Sequence, residues 1–209
     1  MCAPRGSVLS IAHTWGSTPA ERAVSLPCDR HLASFDDALF RAVDVSASPS
    51  IVFRWLCQLR VAPYSYDWID NWGRESPRTL TPGLDQLTLG QRVMTIFELV
   101  DFERGCHLTL VLRRGRWLFV DIAGTYLVSP RAPTGSRIVV KLLVRYPHRA
   151  WLGWLRRVCL PWGDLVMMRK QLLTLKALAE ADHAANSAPT GGATPSEPAA
   201  SSSSRGKGQ

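Results

Sequence analysis

The sequence predicts an α+β fold in which an antiparallel sheet packs against helices. Three patterns predict it: a strand-like stretch at 38–46 followed by Ser48-Pro49, alternating stretches between residues 91 and 146, and an apolar helical stripe within 161–181. The alternating stretches are joined by short links that contain glycine, which favours hairpins and an antiparallel meander. We therefore expect one folded α+β domain over residues 37–183.

The first elements are a strand and a helix. Residues 1–36 contain scattered Pro and Gly and predict an irregular N-terminal extension. After the strand at 38–46, Ser48 can cap a helix and Pro49 fits its first position. Apolar residues then recur at helical spacing as one stripe: Ile51, Val52, Trp55, Leu56 and Leu59.

Four strands follow a loop rich in Pro and Gly. They are expected at residues 91–103, 106–113, 116–130 and 136–146. In the last of them, alternate residues from Ile138 to Tyr146 are apolar, whereas Lys141 and Arg145 belong to the other face. The sheet should therefore have one apolar face, with the helices gathered on it.

The C-terminal part returns to helix. We expect helices at 149–160 and 161–181, separated by Pro161, because proline is tolerated in a first turn but not in a helix interior. Residues 184–209 are rich in Ala, Ser, Pro and Gly and carry no aromatic or large aliphatic residue. They cannot bury enough apolar surface to offset the entropy of ordering, so they predict a disordered tail.

Charge and cysteine usage restrict the function classes. The net charge is +8, and residues 141–176 hold eight Lys and Arg against Asp164 alone, a local charge of +7. Five scattered cysteines form no C-x-x-C pair, which disfavours a disulfide framework and a zinc site and is typical of a cytoplasmic protein. Cys57 and Cys159 lie in apolar helical runs and are expected to be buried.

Motif-based chemistry is absent from the sequence. It contains no G-x-S-x-G, H-E-x-x-H or G-x-x-x-x-G-K-[ST] motif. The sequence therefore assigns no catalytic residue and predicts neither a metal nor a cofactor. It gives no indication of oligomeric state.

The chain resembles the START/Bet v 1-like superfamily, whose bacterial members include SRPBCC and polyketide cyclase-like proteins. The resemblance rests on Val43-Asp-Val-Ser-Ala-Ser-Pro49, on Ala-Pro-Tyr-Ser-Tyr-Asp-Trp-Ile-Asp-Asn at 62–71, and on Pro-Trp-Gly-Asp-Leu-Val-Met-Met-Arg-Lys-Gln-Leu at 161–172. It covers roughly residues 37–181. It implies a helix-grip fold, in which a curved sheet wraps a long C-terminal helix and leaves a cavity.

The same resemblance implies a function. Relatives bind lipids, polyketides or other hydrophobic molecules, and some catalyse cyclisation or dehydration. We expect a carrier or sensor of a hydrophobic small molecule, such as a lipid or polyketide, acting in the cytoplasm. The alternative is a polyketide cyclase- or dehydratase-type enzyme that uses a cavity acid or base. No catalytic residue carries over, because the superfamily has no universal catalytic motif.

Candidate ligand contacts come from three regions. The C-terminal stripe is a core face or a cavity wall, the aromatic cluster at 64–72 is a plug or a ligand lip, and inward polar groups of the sheet can orient a ligand. The resulting candidates are Tyr64, Tyr66, Trp68, Glu98, Leu110, Tyr126, Leu165, Met168 and Leu172.

Segment 147–160 places Trp and Leu on one side of a helix and Arg149, Arg156 and Arg157 on the other. This pattern is typical of peripheral membrane contact, of a helix packed on the sheet edge, or of docking to a protein partner. The aromatic rings do not interleave with the arginines, which disfavours nucleic-acid binding.

Overall fold

The computed structural model describes residues 11–66, 68, 73–112, 120–146 and 153–187. Its helices are α1 (Ile11–Thr14), α2 (Pro19–Ala23), α3 (Cys28–His31), α4 (Pro49–Cys57), continued by a 3-10 turn (Gln58–Arg60), and α5 (Gly153–Ser187). Its strands are β1 (Asp37–Val45), β2 (Arg92–Val93), β3 (Phe97–Glu103), β4 (His107–Leu112), β5 (Asp121–Arg131) and β6 (Gly135–Arg145).

The strands form one six-stranded antiparallel sheet in the order β1-β6-β5-β4-β3-β2. Strands β3 to β6 follow one another as the meander that the short links predict. The single strand predicted at 91–103 is instead divided into β2 and β3, because Met94 and Thr95 between them adopt positive φ. Strand β1 pairs with the last strand, from Asp37 opposite Val144 to Val45 opposite Ser136. This long-range pairing leaves the sheet curved and unclosed, with β1 and β2 at its edges.

The concave face of the sheet carries the main core. Side chains alternate along each strand, so Leu39, Leu110, Tyr126 and Val140 share this face. Helices α4 and α5 pack on it through Trp55, Leu56, Leu59, Met168, Leu172 and Leu175. The apolar face predicted for β6 is therefore confirmed.

Helix α5 runs lengthwise beside β1. Near its start, Arg157 forms an ion pair with Asp36 at 3.0 Å, and near its end the Glu180 carboxylate accepts a 2.7 Å hydrogen bond from the backbone N–H of Ser46. The curved sheet thus wraps a long C-terminal helix. This is the helix-grip fold that the resemblance implied.

Helix α5 corrects the prediction of two helices separated at Pro161. It is continuous from Gly153 to Ser187, with Pro161 in its interior. Proline costs the Arg157 carbonyl its hydrogen bond within the helix. Pro161 is itself buried, and its carbonyl accepts a 3.3 Å hydrogen bond from Arg41 Nη2, so tertiary packing offsets that loss. The helix also extends four residues into the tail predicted to be disordered.

The N-terminal segment covers the convex face of the sheet. Leu26, Cys28 and Leu32 around α3 pack on Ala123 and Leu143. The prediction that all helices gather on one face is therefore wrong. Its cause is the second apolar patch on the convex face, which α3 buries.

Lys141 lies beneath this cover. It is on the convex face, as the alternation predicts, but it is buried, and its Nζ lies 2.7 Å from an Asp29 carboxylate oxygen. The buried charge of Lys141 is thus neutralised by Asp29 of the N-terminal segment.

The same segment crosses edge strand β1. The backbone N–H of Ala42 donates to the Trp15 carbonyl at 3.0 Å. The chain then turns at Gly16, where φ is +75° and a Cβ would lie 2.0 Å from the Ala42 carbonyl oxygen. Only glycine permits so close a backbone approach. Along the described residues, no helix combines the length and apolarity needed to cross a bilayer.

Candidate functional site

An arginine lies in the middle of the apolar concave face. Arg41 shares this face of β1 with Leu39 and Val43, points at α5 and is fully buried. Its Nη2 donates to Asp164 Oδ2 at 2.7 Å and to the Ala12 carbonyl at 2.8 Å. Three parts of the chain therefore fix this guanidinium, so it presents a positive charge to the interior.

Asp164 lies on the inward side of α5. Burial raises the pKa of its carboxyl from 3.8 to about 6, although the Arg41 charge and hydrogen bond act in the opposite direction. Yet 18% of its side-chain surface is accessible. Asp164 is therefore a partly accessible carboxyl on the side of α5 that faces the sheet.

A second polar pair lies beside this ion pair. The Tyr126 hydroxyl donates to Gln171 Oε1 at 2.8 Å, and Gln171 Nε2 donates to the Pro63 carbonyl at 2.6 Å. Tyr126 OH also lies 3.6 Å from the Met168 sulfur. Burial, with the nearby Asp164 charge, raises the pKa of the Tyr126 phenol, so the phenol stays neutral and keeps its proton to donate.

Half-buried apolar residues lie toward both ends of the concave face. In the row that crosses β3 to β1, the concave residues are Leu99, Leu110, Gly124, Leu142 and Leu39. Gly124 contributes no side chain to this row. At the same end of the sheet Phe97 and Ile122 are only half-buried, as is Leu160 on α5. The Leu142 side chain fills the space beside Gly124, 3.1 Å from where a Cβ would lie. Toward the other end of the sheet, Val43 and Phe102 are also only partly buried.

The arrangement suits recognition of an apolar molecule with one polar group. Leucine, isoleucine and phenylalanine side chains form the walls, and the carboxyl of Asp164 is the accessible polar group. Such a combination is typical of small-molecule sites. A carboxyl with a pKa of about 6 can also exchange a proton near neutral pH.

The structure brings together four of the residues predicted from sequence. Leu110, Tyr126, Met168 and Leu172 all face the space between sheet and α5 and belong to one core cluster. Leu165 is buried on the same helix. Their role as ligand contacts stays a prediction.

Of the other predicted residues, Tyr64 belongs to the same core cluster, whereas Tyr66, Trp68 and Glu98 are not part of it. Tyr64 is buried and packs edge-on against Trp55, with ring centroids 6.2 Å apart, so it contributes to the core. Tyr66 is half-buried, and Trp68 is 75% exposed. Glu98 pairs with Val111 on the convex face and is therefore remote from the interior.

Sequence reasoning missed Arg41, Asp164 and Gln171. Each is a polar residue within an apolar stretch, which is the signal that could have indicated them. Asp164 is also the one acidic residue of segment 141–176 and lies four residues before Met168 on the inward stripe. Cys159, predicted to be buried, is exposed on α5, because it lies opposite the stripe that faces the sheet.

Among the described residues, Glu103, Cys106 and His107 form a group that could hold a metal ion, with ligand atoms within 4.8 Å of one another. They lie at the turn between β3 and β4. Burial and the neighbouring Glu103 raise the pKa of the Cys106 thiol, which favours the protonated form over the thiolate that binds metals. His107 pairs with Leu127 on the convex face, away from Asp164.

The free energy of unfolding should depend on pH because Asp164 titrates with different pKa values in the folded and unfolded states. The folded carboxyl keeps its proton up to about pH 6, whereas the unfolded one releases it near 3.8. Its contribution to stability is therefore full below pH 3.8 and is lost as the pH rises through 6. The difference between the folded and unfolded pKa values of Asp164 corresponds to about 3 kcal/mol in the free energy of unfolding.

Denaturant unfolding at a series of pH values checks this expectation. Asp164→Asn should abolish the fall in stability between pH 4 and 6, whereas Asp121→Asn, at an exposed ion pair, should leave it in place. Glu21, whose pKa is lowered to about 2 by Arg137, acts at lower pH and with the opposite sign. Identical pH profiles for the wild type and Asp164→Asn would show that Asp164 titrates normally.

Fold and interior together define a helix-grip protein with a buried ion pair and an accessible interior carboxyl. This is the fold of the START/Bet v 1-like superfamily. No protein-family model matches the sequence, and no curated protein matches it.

Solved structures with a similar architecture come from several organisms. A hypothetical protein from Helicobacter pylori is 14% identical, with 75% of this chain and 96% of that chain covered and a TM-score of 0.49. A Thermus thermophilus protein is 15% identical (69% and 98% covered, TM-score 0.44). A point mutant of Thalictrum norcoclaurine synthase, in complex with a transition state analogue, is 11% identical (71% and 98% covered, TM-score 0.43). Likeness at this level carries no information on what this chain binds.

Proposed function

We propose that the protein binds a hydrophobic small molecule, such as a lipid or polyketide, between the concave face of the sheet and α5. The observation that carries the proposal is a partly accessible carboxyl, Asp164, on the side of α5 that faces the apolar concave sheet. The proposal requires free volume between α5 and the sheet next to this carboxyl. Apolar side chains form most of the walls around it.

The polarity of the walls supports a particular orientation of the ligand. Its apolar part would lie toward the half-buried Phe97, Ile122 and Leu160, because contact with them removes apolar surface from water. Its polar group would lie at Asp164, the accessible member of the ion pair with Arg41. A hydroxyl or amide group suits this position because the carboxylate is a strong acceptor.

The test is retention of a ligand by the purified full-length chain. Native mass spectrometry and solvent extraction should detect a co-purifying apolar molecule. Met168→Trp should remove it, because the larger side chain fills the space beside Tyr126. Leu173→Trp is the matched control, because Leu173 lies on the solvent side of the same helix and is partly exposed.

Binding of anilinonaphthalene sulfonate gives a second readout that needs no knowledge of the ligand. The Met168→Trp variant should bind this dye at least about tenfold more weakly than the Leu173→Trp variant, a difference of about 1.4 kcal/mol. Equal retention of ligand and dye by the two variants would place the binding site outside the interior. Circular dichroism checks that both variants are folded.

A second candidate is an enzyme of the cyclase or dehydratase kind. The specific observation that favours it is the pKa of about 6 at Asp164, which suits a general acid or base. The extracted molecule would then be converted by the wild type, as seen by a change in mass or retention time. Asp164→Asn should bind the molecule without converting it. Equal conversion by both proteins would exclude Asp164 as the acid or base.

A further inference from the structure

The outward side of α5 is apolar as well as the inward side. Trp162 and Val166 are each 50% exposed, and Leu173 is 38% exposed. At 100° per residue these side chains fall within one narrow stripe, centred roughly 120° around the helix from Met168 and Leu172. A helix that packs on a sheet normally presents a polar side to water, so this second apolar stripe is unexplained by the fold.

Cations accompany the stripe. Arg169 and Lys170 are exposed between Val166 and Leu173, and Lys176 follows one turn later. Arg169 also stacks over the Trp15 ring at 5.9 Å, which holds it beside the stripe. Lys176 pairs with Glu180 at 3.6 Å, whereas Asp164, the acid of α5 nearest in sequence to Arg169 and Lys170, points inward to Arg41. We call Trp162, Val166, Arg169, Lys170 and Leu173 the outer α5 face.

We propose that the outer α5 face docks on an anionic lipid surface. Such a surface accepts Trp, Val and Leu at the boundary of its acyl chains and attracts Arg and Lys through its headgroups. A second copy of the chain matches less well. Two-fold packing of this face on itself would oppose Arg169 and Lys170 to the same cations, and the face offers no carboxylate to compensate.

This proposal goes beyond ligand binding and does not depend on it. Docking would hold α5 against the bilayer, with the inward side of the same helix forming the wall of the interior. Segment 147–160, for which peripheral membrane contact is one of the alternatives that the sequence leaves open, lies immediately before it. Residues 147–152 and most side chains of 153–158 lie outside the described part of the chain, so that contact stays a prediction.

Vesicle co-sedimentation of the full-length protein tests the proposal. The protein should bind vesicles of phosphatidylcholine mixed with phosphatidylglycerol, and bind pure phosphatidylcholine at least about tenfold more weakly. Raising the ionic strength from about 0.1 M to 1 M should weaken the anionic binding by a similar factor, because salt screens exposed charges.

Matched variants locate the surface. Val166→Glu and Lys170→Glu should each reduce binding to the anionic vesicles by about tenfold, since each places a negative charge on the face. Leu89→Glu introduces the same charge at another exposed apolar residue, remote from α5 in sequence, and should change binding by less than about twofold. Ligand retention by Val166→Glu should stay at the wild-type level, which separates this proposal from the proposed function.

Three results would overturn the proposal. One is vesicle binding by Val166→Glu and Lys170→Glu that equals the wild type. Another is equal binding to neutral and anionic vesicles. The third is a dimer, detected by analytical ultracentrifugation, that Val166→Glu dissociates, because it would assign the face to a second copy of the chain.

Discussion

Replacing Arg41 with Met is expected to lower the free energy of unfolding by about 3–5 kcal/mol at pH 7.5. The fully buried guanidinium is the charged partner that holds Asp164 at 2.7 Å. Its removal leaves a carboxylate in the interior without a counter-charge, and it also removes the hydrogen bonds to the Ala12 and Pro161 carbonyls. Urea denaturation followed by circular dichroism measures the change.

Two further variants show whether burial of the ion pair causes the loss of stability in Arg41→Met. Arg145→Met breaks an ion pair with Asp121 in which both side chains are more than 40% exposed, and it should cost less than about 1 kcal/mol. The double variant Arg41→Met/Asp164→Leu should regain most of the stability, because it leaves no uncompensated charge. The loss in Arg41→Met should also shrink below about pH 5, where Asp164 is protonated. An Arg41→Met loss as small as that of Arg145→Met would contradict a buried pair.

Replacing Leu172 with Ala is expected to cost about 2–5 kcal/mol. Leu172 is fully buried where α5 meets the concave face, in the same cluster as Val140 and Leu56. Truncation removes apolar contacts and leaves a cavity that rigid strands cannot collapse to fill. The same denaturation experiment provides the measurement.

The neighbouring residue supplies the control. Leu173 lies on the outer α5 face, and Leu173→Ala should cost less than about 1 kcal/mol because much of that side chain already contacts water. The pair of variants tests whether α5 lies lengthwise against the sheet. Equal losses at the two positions would mean that the helix does not present one side to the sheet.

The two proposals assign different roles to the two sides of α5. The inward side offers Asp164, Met168 and Gln171 to the space beneath the sheet. The outward side offers Trp162 and Val166 to the surroundings. If both proposals hold, an apolar molecule would be bound one helix diameter from the lipid surface that supplies or receives it.

The sequence by itself determined the order of elements, and it did so through local periodicity. Alternation predicted β4, β5 and β6 but not the division of residues 91–103 into β2 and β3. The apolar face of β6 followed because side chains alternate strictly along a strand. Ser48-Pro49 fixed the start of α4 because both residues act within one turn. The four core residues Leu110, Tyr126, Met168 and Leu172 were accessible to the same reasoning.

Tertiary structure alone decided the features that depend on distant partners. Proline rules predicted a break at Pro161, but the helix continues because burial and the hydrogen bond from Arg41 outweigh one lost backbone bond. Local patterns could not place Arg41 beside Asp164, which is 123 residues away, or put α3 over Lys141. Burial and ion pairing depend on which elements meet in space. For that reason the residues of the interior polar site emerged only from the fold.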